Sequence, residues 1–87
     1  MGSEWKRIVL VYAGCVHQYI QPLFDKIDSG IGSVMNRDLG PKLRAASLQL
    51  SFILVMLTRG EAGVLVENAG RSEGAMAWLN LLKRYEP

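Results

Sequence analysis

The sequence predicts an all-α protein, a compact bundle of four to five helices around a central apolar helix at about residues 41–59. Apolar residues recur at i, i+3, i+4 and i+7 through most of the chain, which is the spacing of one helix face. Alternating patterns typical of strands are nearly absent, and prolines and glycines lie between the periodic segments. The 87 residues suffice for one small domain. We therefore treat 1–87 as a single helical domain and interpret residues 1–3 as a cloning remnant.

The first predicted helix follows Ser3, a suitable N-cap residue, with Glu4 in its first turn. Leu10 falls on the polar side of this helix, next to Gly14, and faces away from the expected core. Because a monomer does not explain an apolar residue there, we predict that Lys6, Leu10 and Gly14 belong to a protein–protein contact surface. The predicted core-facing stripe consists of Trp5, Ile8, Val9, Tyr12, Val16 and Tyr19.

Pro22 removes a backbone donor, so Gln21-Pro22 is either a kink or the start of a second helix that ends near Ser29-Gly30. The glycine-rich segment 30–40 has no helical period. It is predicted to be a loop with one helical turn at Val34-Met35.

Pro41 is predicted to begin the central helix, which reaches Arg59. A second row of apolar residues lies opposite its main face, so we expect neighbouring helices to bury it on several sides. The main face consists of Leu43, Ala46, Leu50, Ile53, Leu54 and Leu57, and the opposite row of Leu48, Phe52, Val55 and Met56.

Gly60 is predicted to cap the central helix, and a short helix from Glu61 to Ala69 ends at Gly70. Ser72 is a candidate N-cap for the last helix. The buried stripe of that helix is predicted to consist of Ala75, Trp78, Leu79, Leu82 and Tyr85, and Pro87 stops any continuation.

The composition argues against catalysis and against a strong nucleic-acid interface. The net charge is only +2 and the ten basic residues are scattered, whereas nucleic-acid binding requires a clustered basic surface. Cys15 and His17 are two residues apart on a helix, so they point in nearly opposite directions and cannot form a nucleophile–base pair. Asp25 and Asp28 share a helix face, which is more typical of a solvated surface than of an acid–base pair. We expect no enzyme activity, catalytic residue, metal or cofactor.

A single cysteine excludes an intramolecular disulfide framework and suits a reducing, intracellular and cytoplasmic location. No apolar run is long enough for a transmembrane span. At 49% hydrophobic residues and a mean hydropathy of +0.13, the chain is nevertheless unusually apolar for a small domain. We therefore expect a protein partner, reached through self-association or within a larger assembly.

The last third of the chain resembles the Gag-like capsid region of LTR retrotransposons, particularly copia-like elements. The resemblance lies in Gly60-x-Ala62, after an apolar helix, followed by Gly74-x-x-Ala77-Trp78-x-x-Leu81-x-x-Arg84-Tyr85-x-Pro87. Trp5 and Tyr12 are similar to the aromatic residues of the family's opening helix. The resemblance implies an N-terminal capsid lobe or a fragment of one: a non-enzymatic module that assembles through helix-mediated contacts. The second lobe and the Cys/His knuckle of a full Gag are not in this sequence.

Two other functions are compatible with the sequence. One is a small helical subunit docked on a larger, membrane-associated complex, suggested by Leu10 and the high apolar content. The other is a helical nucleic-acid-binding module that uses Arg59, Arg71 and Lys83-Arg84.

Overall fold

The computed structural model describes residues 4–70 and 72–85, with side chains from Lys6 onward. The described residues form five α-helices and a short 3-10 turn, which confirms the all-α prediction. The helices are α1 (Glu4–Val16), α2 (Ile20–Ser29), α3 (Pro41–Leu57), α4 (Gly60–Ala69) and α5 (Gly74–Tyr85). The 3-10 turn is Asn36–Asp38, two residues after the turn predicted at Val34-Met35.

Helix α3 is the central element, because each of the other four helices packs against it. Its Leu50 and Leu54 are fully buried. On the opposite side of the core, the Phe24 ring of α2 meets the Trp78 ring of α5 at 5.0 Å between centroids. Aromatic pairs at this separation add to the free energy gained from burial alone. The core therefore joins α2, α3 and α5.

Proline and glycine residues lie at the start of α3 and at both ends of α4. Pro41 occupies the first turn of α3, where a missing N–H costs nothing. The helix ends at Leu57 rather than Arg59, because Thr58 and Arg59 are extended. The prediction that Gly60 caps α3 is therefore wrong: Gly60, with φ of +59°, is the first residue of α4. Gly70, with φ of +113°, ends α4.

Gly74 brings α5 into direct contact with the α3 backbone. A Cβ at Gly74 would lie 3.0 Å from the Leu50 Cβ and closer still to the Ser47 carbonyl oxygen and the Ser51 amide nitrogen. One residue later, the Ala75 N–H donates a hydrogen bond to the buried Ser47 hydroxyl at 3.0 Å. The close approach of the two helices thus depends on a residue without a side chain.

The start of α5 differs from the prediction that Ser72 caps it. Helix α5 begins at Gly74, and the Glu73 carbonyl accepts the Ala77 N–H at 2.9 Å. Glu73, and not Ser72, is therefore in the N-cap position of this helix. The Glu73 carboxylate instead accepts the Asn36 N–H at 2.7 Å, and the Asn36 amide donates to the Ser72 carbonyl at 2.6 Å. These bonds tie the 3-10 turn to the segment before α5. Pro87, the predicted stop, lies outside the described residues.

Helix α1 is rotated relative to the predicted orientation. Val9 and Ala13 are buried, and Leu10 packs against the core. The prediction that Leu10 faces away from the core is therefore wrong, and so is the prediction that Tyr12, 47% exposed, belongs to it. The side chain of Trp5 lies outside the described part of the structure. Of the other predicted stripe residues, Tyr19 is half-buried, whereas Ile8 and Val16 are exposed.

Candidate protein–protein contact surface

The rotation of α1 leaves one of its apolar faces in solvent. We call this surface, formed by Arg7, Ile8, Val11, Tyr12 and Cys15, the α1 face; these five residues line one shallow depression. Ile8, Val11 and Tyr12 are 59%, 64% and 47% exposed. Residues 8, 11, 12 and 15 have the i, i+3, i+4, i+7 spacing with which an amphipathic helix enters a partner's groove. The α1 face therefore has the pattern of a helix that is partnered on one side and open on the other.

The outer side of α3 forms a second apolar surface together with α4. Phe52 and Val55 of α3 and Val66 and Glu67 of α4 line a groove between the two helices, and we call this the α3/α4 groove. Val55 and Glu67 also line an adjoining depression with Val64. Neighbouring helices bury α3 on several sides, as predicted, but they leave this outer row open. The exposed members of its outer row are Leu48, Phe52, Val55 and Met56.

A third concavity lies at the end of the bundle, between α1, α3, α4 and α5, with a volume of about 360 Å³. Ile8 belongs to both this cavity and the α1 face, so the two surfaces are continuous. Leu57, predicted to face the core, is 45% exposed and lines this cavity instead. The lining residues are Ile8, Val9, Leu57, Thr58, Arg59, Ala62, Leu81 and Tyr85.

The residues that carry the Gag-like pattern hold the α4–α5 pair against the bundle. Ala62, Ala77, Trp78 and Leu81 are buried, and Tyr85 is half-buried against the core, as is the neighbouring Leu82. These positions stabilise the fold.

Arg84 joins α5 to α4 at the bundle surface. Its side chain donates hydrogen bonds to the Glu61 carboxylate, with the Nε atom at 2.9 Å. This bonding, together with the charge of Glu61, raises the pKa of Arg84. The carboxylate neutralises one of the cations in the predicted basic group.

The predicted interface residues Lys6, Leu10 and Gly14 do not form one exposed apolar surface. Lys6 and Leu10 are half-buried, and Gly14 is exposed with open space around the position of a Cβ. The exposed α1 face lies on the other side of the helix from Leu10. Sequence reasoning missed it because the apolar spacing of Ile8, Val11, Tyr12 and Cys15 is as regular as that of a core stripe.

The residues considered as catalytic candidates do not form a cluster. Cys15 is exposed, and the His17 Nδ1 accepts the Tyr19 N–H at 3.1 Å. Asp25 and Asp28 are both exposed. Within residues 4–70 and 72–85, no three His, Cys, Asp or Glu side chains gather where they could hold a metal ion. Over the same ranges, no helix has the length and apolar character needed to cross a membrane.

Comparison with known protein families, curated proteins and solved structures gave no match to this chain.

Proposed function

We propose that this protein is a non-enzymatic assembly module that resembles a retrotransposon Gag capsid lobe and acts through helix-mediated protein–protein contacts. The observation that supports this proposal is the pair of exposed apolar surfaces, the α1 face and the α3/α4 groove. The largest apolar patch on a typical monomer is about 300–600 Å², and it is often functional. Two separate apolar surfaces on 87 residues favour a protein that is covered by neighbours.

The large apolar side chains of the two surfaces are 47–64% exposed: Ile8, Val11 and Tyr12 on the α1 face, and Phe52 and Val55 in the α3/α4 groove. Standard protein–protein interfaces bury about 800 Å² per partner, of which slightly more than half is apolar. Each surface thus supplies part of the apolar area that one standard interface needs. Contacts of this size are weak singly and become stable when one chain makes several of them.

The nucleic-acid alternative has less support. Arg84 is paired with Glu61, and the Arg59 guanidinium donates to the Met56 and Thr58 carbonyls at 3.3 and 3.1 Å. Of the cations proposed for that function, Lys83 is exposed and Arg71 lies outside the described residues. One or two available cations supply little of the phosphate attraction on which such binding depends.

Static light scattering of the purified chain from about 10 μM to 1 mM, a range suited to weak interfaces, tests the proposal. We expect the weight-average mass to rise with concentration above the 9.7 kDa of one chain. A mass that stays at 9.7 kDa throughout would overturn self-assembly and favour the alternative of a subunit docked on a larger complex.

A further inference from the structure

We infer that copies of this chain assemble head to tail, with the α1 face of one copy seated in the α3/α4 groove of the next. This inference rests on the proposed function and identifies both surfaces and the occupant, a second copy of this chain.

The two surfaces consist of an exposed helix face and a groove between two helices. The α1 face is one side of a single helix, with anchors at Ile8, Val11, Tyr12 and Cys15. The α3/α4 groove is a concavity between two helices with apolar walls at Phe52 and Val55. A helix that lays anchors with this spacing into an apolar groove is a recurrent mode of protein recognition.

The charges at the edges of the two surfaces are complementary. Arg7 lies at the edge of the α1 face, and Glu67 lines the α3/α4 groove. Neither side chain has an ion-pair partner within residues 4–70 and 72–85. Seating α1 in the groove places an unpaired cation beside an unpaired carboxylate. Pairing two α1 faces would bring two copies of Arg7 to one interface, and pairing two grooves would bring two copies of Glu67, so like charges oppose both symmetric arrangements.

A contact between two different surfaces is heterologous: it gives a ring if the rotation between copies closes and an open chain if it does not. Every copy in a ring, and every interior copy of an open chain, then has both surfaces covered. Only the two end copies of an open chain keep one surface free. A symmetric dimer through either surface would leave the other one in water.

Two variants that each disable one surface separate these arrangements. Val11→Glu places a carboxylate in the α1 face, and Val55→Glu places one in the α3/α4 groove; both valines are more than half exposed, so the fold tolerates the change. We expect each variant alone to be monomeric and an equimolar mixture to form a 1:1 dimer of about twice the 9.7 kDa chain mass by sedimentation velocity. Ile31→Glu, at an exposed apolar residue on neither surface, is the matched control and should associate like the parent.

A charge exchange tests the Arg7–Glu67 pair. Arg7→Glu and Glu67→Arg should each weaken self-association about fivefold, because like charges then meet at every contact. The equimolar mixture should recover the parental affinity, since opposite charges meet wherever the two variants alternate. Arg37→Glu, an exposed arginine of the 3-10 turn outside both surfaces, controls for net charge.

The outcomes separate this inference from the proposed function. If the parent associates but the mixture of Val11→Glu and Val55→Glu stays monomeric, the head-to-tail arrangement is wrong and self-assembly stands. If either variant alone still forms a dimer, a symmetric contact through its intact surface replaces the inference. A parent that is monomeric at every concentration overturns both.

Discussion

Replacing Gly74 with alanine tests the closest helix contact of the fold. The added Cβ would meet the Ser47 carbonyl oxygen and the Ser51 amide nitrogen, and backbone atoms cannot rotate away as a flexible side chain would. Helices α3 and α5 must therefore separate. Inserting a carbon into a packed core costs about 1–3 kcal/mol. The separation also weakens the hydrogen bond from the Ala75 N–H to the Ser47 hydroxyl, worth about 0.5–1.5 kcal/mol.

Together these terms predict that Gly74→Ala lowers the free energy of unfolding by about 2–4 kcal/mol. A domain of this length has a total stability of only about 4–13 kcal/mol, so much of the margin is lost. At about 4–8 °C per kcal/mol for a domain of this size, the melting temperature should fall by about 8–32 °C. Thermal and urea unfolding followed by circular dichroism at 222 nm measure both quantities.

Gly14→Ala is the matched control for this substitution. Gly14 lies inside α1, with nothing within 4 Å of the position of its Cβ. The same chemical change there should stabilise the protein by about 0.5–1 kcal/mol, because alanine loses less backbone entropy in a helix. If Gly74→Ala melts at or above the parental temperature, the close contact between α3 and α5 is wrong.

Four further substitutions follow from the packing. Leu54→Ala should lower the free energy of unfolding by about 2–5 kcal/mol in urea titrations, because it leaves a cavity in a fully buried site; a midpoint equal to the parent's would contradict the central position of α3. Asn36→Ala should cost about 1–2 kcal/mol, measured the same way, by removing the bond from its amide to the Ser72 carbonyl; no loss would mean that this tie is unimportant. Leu10→Glu should lower the melting temperature and the helical signal, since the carboxylate enters the core edge, whereas unchanged melting would show that Leu10 is free surface. Cys15→Ala should leave the melting temperature within about a degree of the parent, as expected for an exposed side chain, and a large drop would place Cys15 in the core.

The order and limits of the helices were largely predictable from local chemistry. Pro41 and Gly70 mark the start of α3 and the end of α4 because the conformational limits of proline and glycine act within a few residues. The predicted end of α3 lies two residues beyond the observed end, because neither Thr58 nor Arg59 is a residue type that stops a helix. Their extended conformation is set by the return of the chain into α4.

The rotation of α1 about its axis was not predictable in the same way. Two stripes of similar apolar character run along this helix, one through Val9 and Ala13 and one through Ile8 and Tyr12. The larger and aromatic residues of the second stripe favour it as the buried face in the sequence. In the structure, α1 instead packs on the bundle through the smaller side chains of Val9 and Ala13. The outer row of α3 shows the same limit, because periodicity identifies an apolar face without identifying what covers it.

The contact between Gly74 and α3 is a feature that the sequence alone does not predict. In the sequence, Gly74 is noted only as the first residue of the second part of the Gag-like pattern, near the start of the last predicted helix. Its role depends on Ser47 and Ser51, more than twenty residues earlier, whose backbone it approaches. The tie between Asn36 and the segment before α5 likewise joins residues 36 positions apart, and no local pattern indicates it.

The most direct test of the assembly claim is a dilution series of the isotopically labelled chain, followed by amide chemical shifts in NMR spectra. Head-to-tail association predicts that shifts which change with concentration cluster at two places in the same experiment, residues 7–16 of α1 and the facing residues 52–55 and 63–67 of α3 and α4. Ile31 and the exposed side of α2 should not change. Shifts that are independent of concentration, or that change at only one of the two surfaces, would contradict the account.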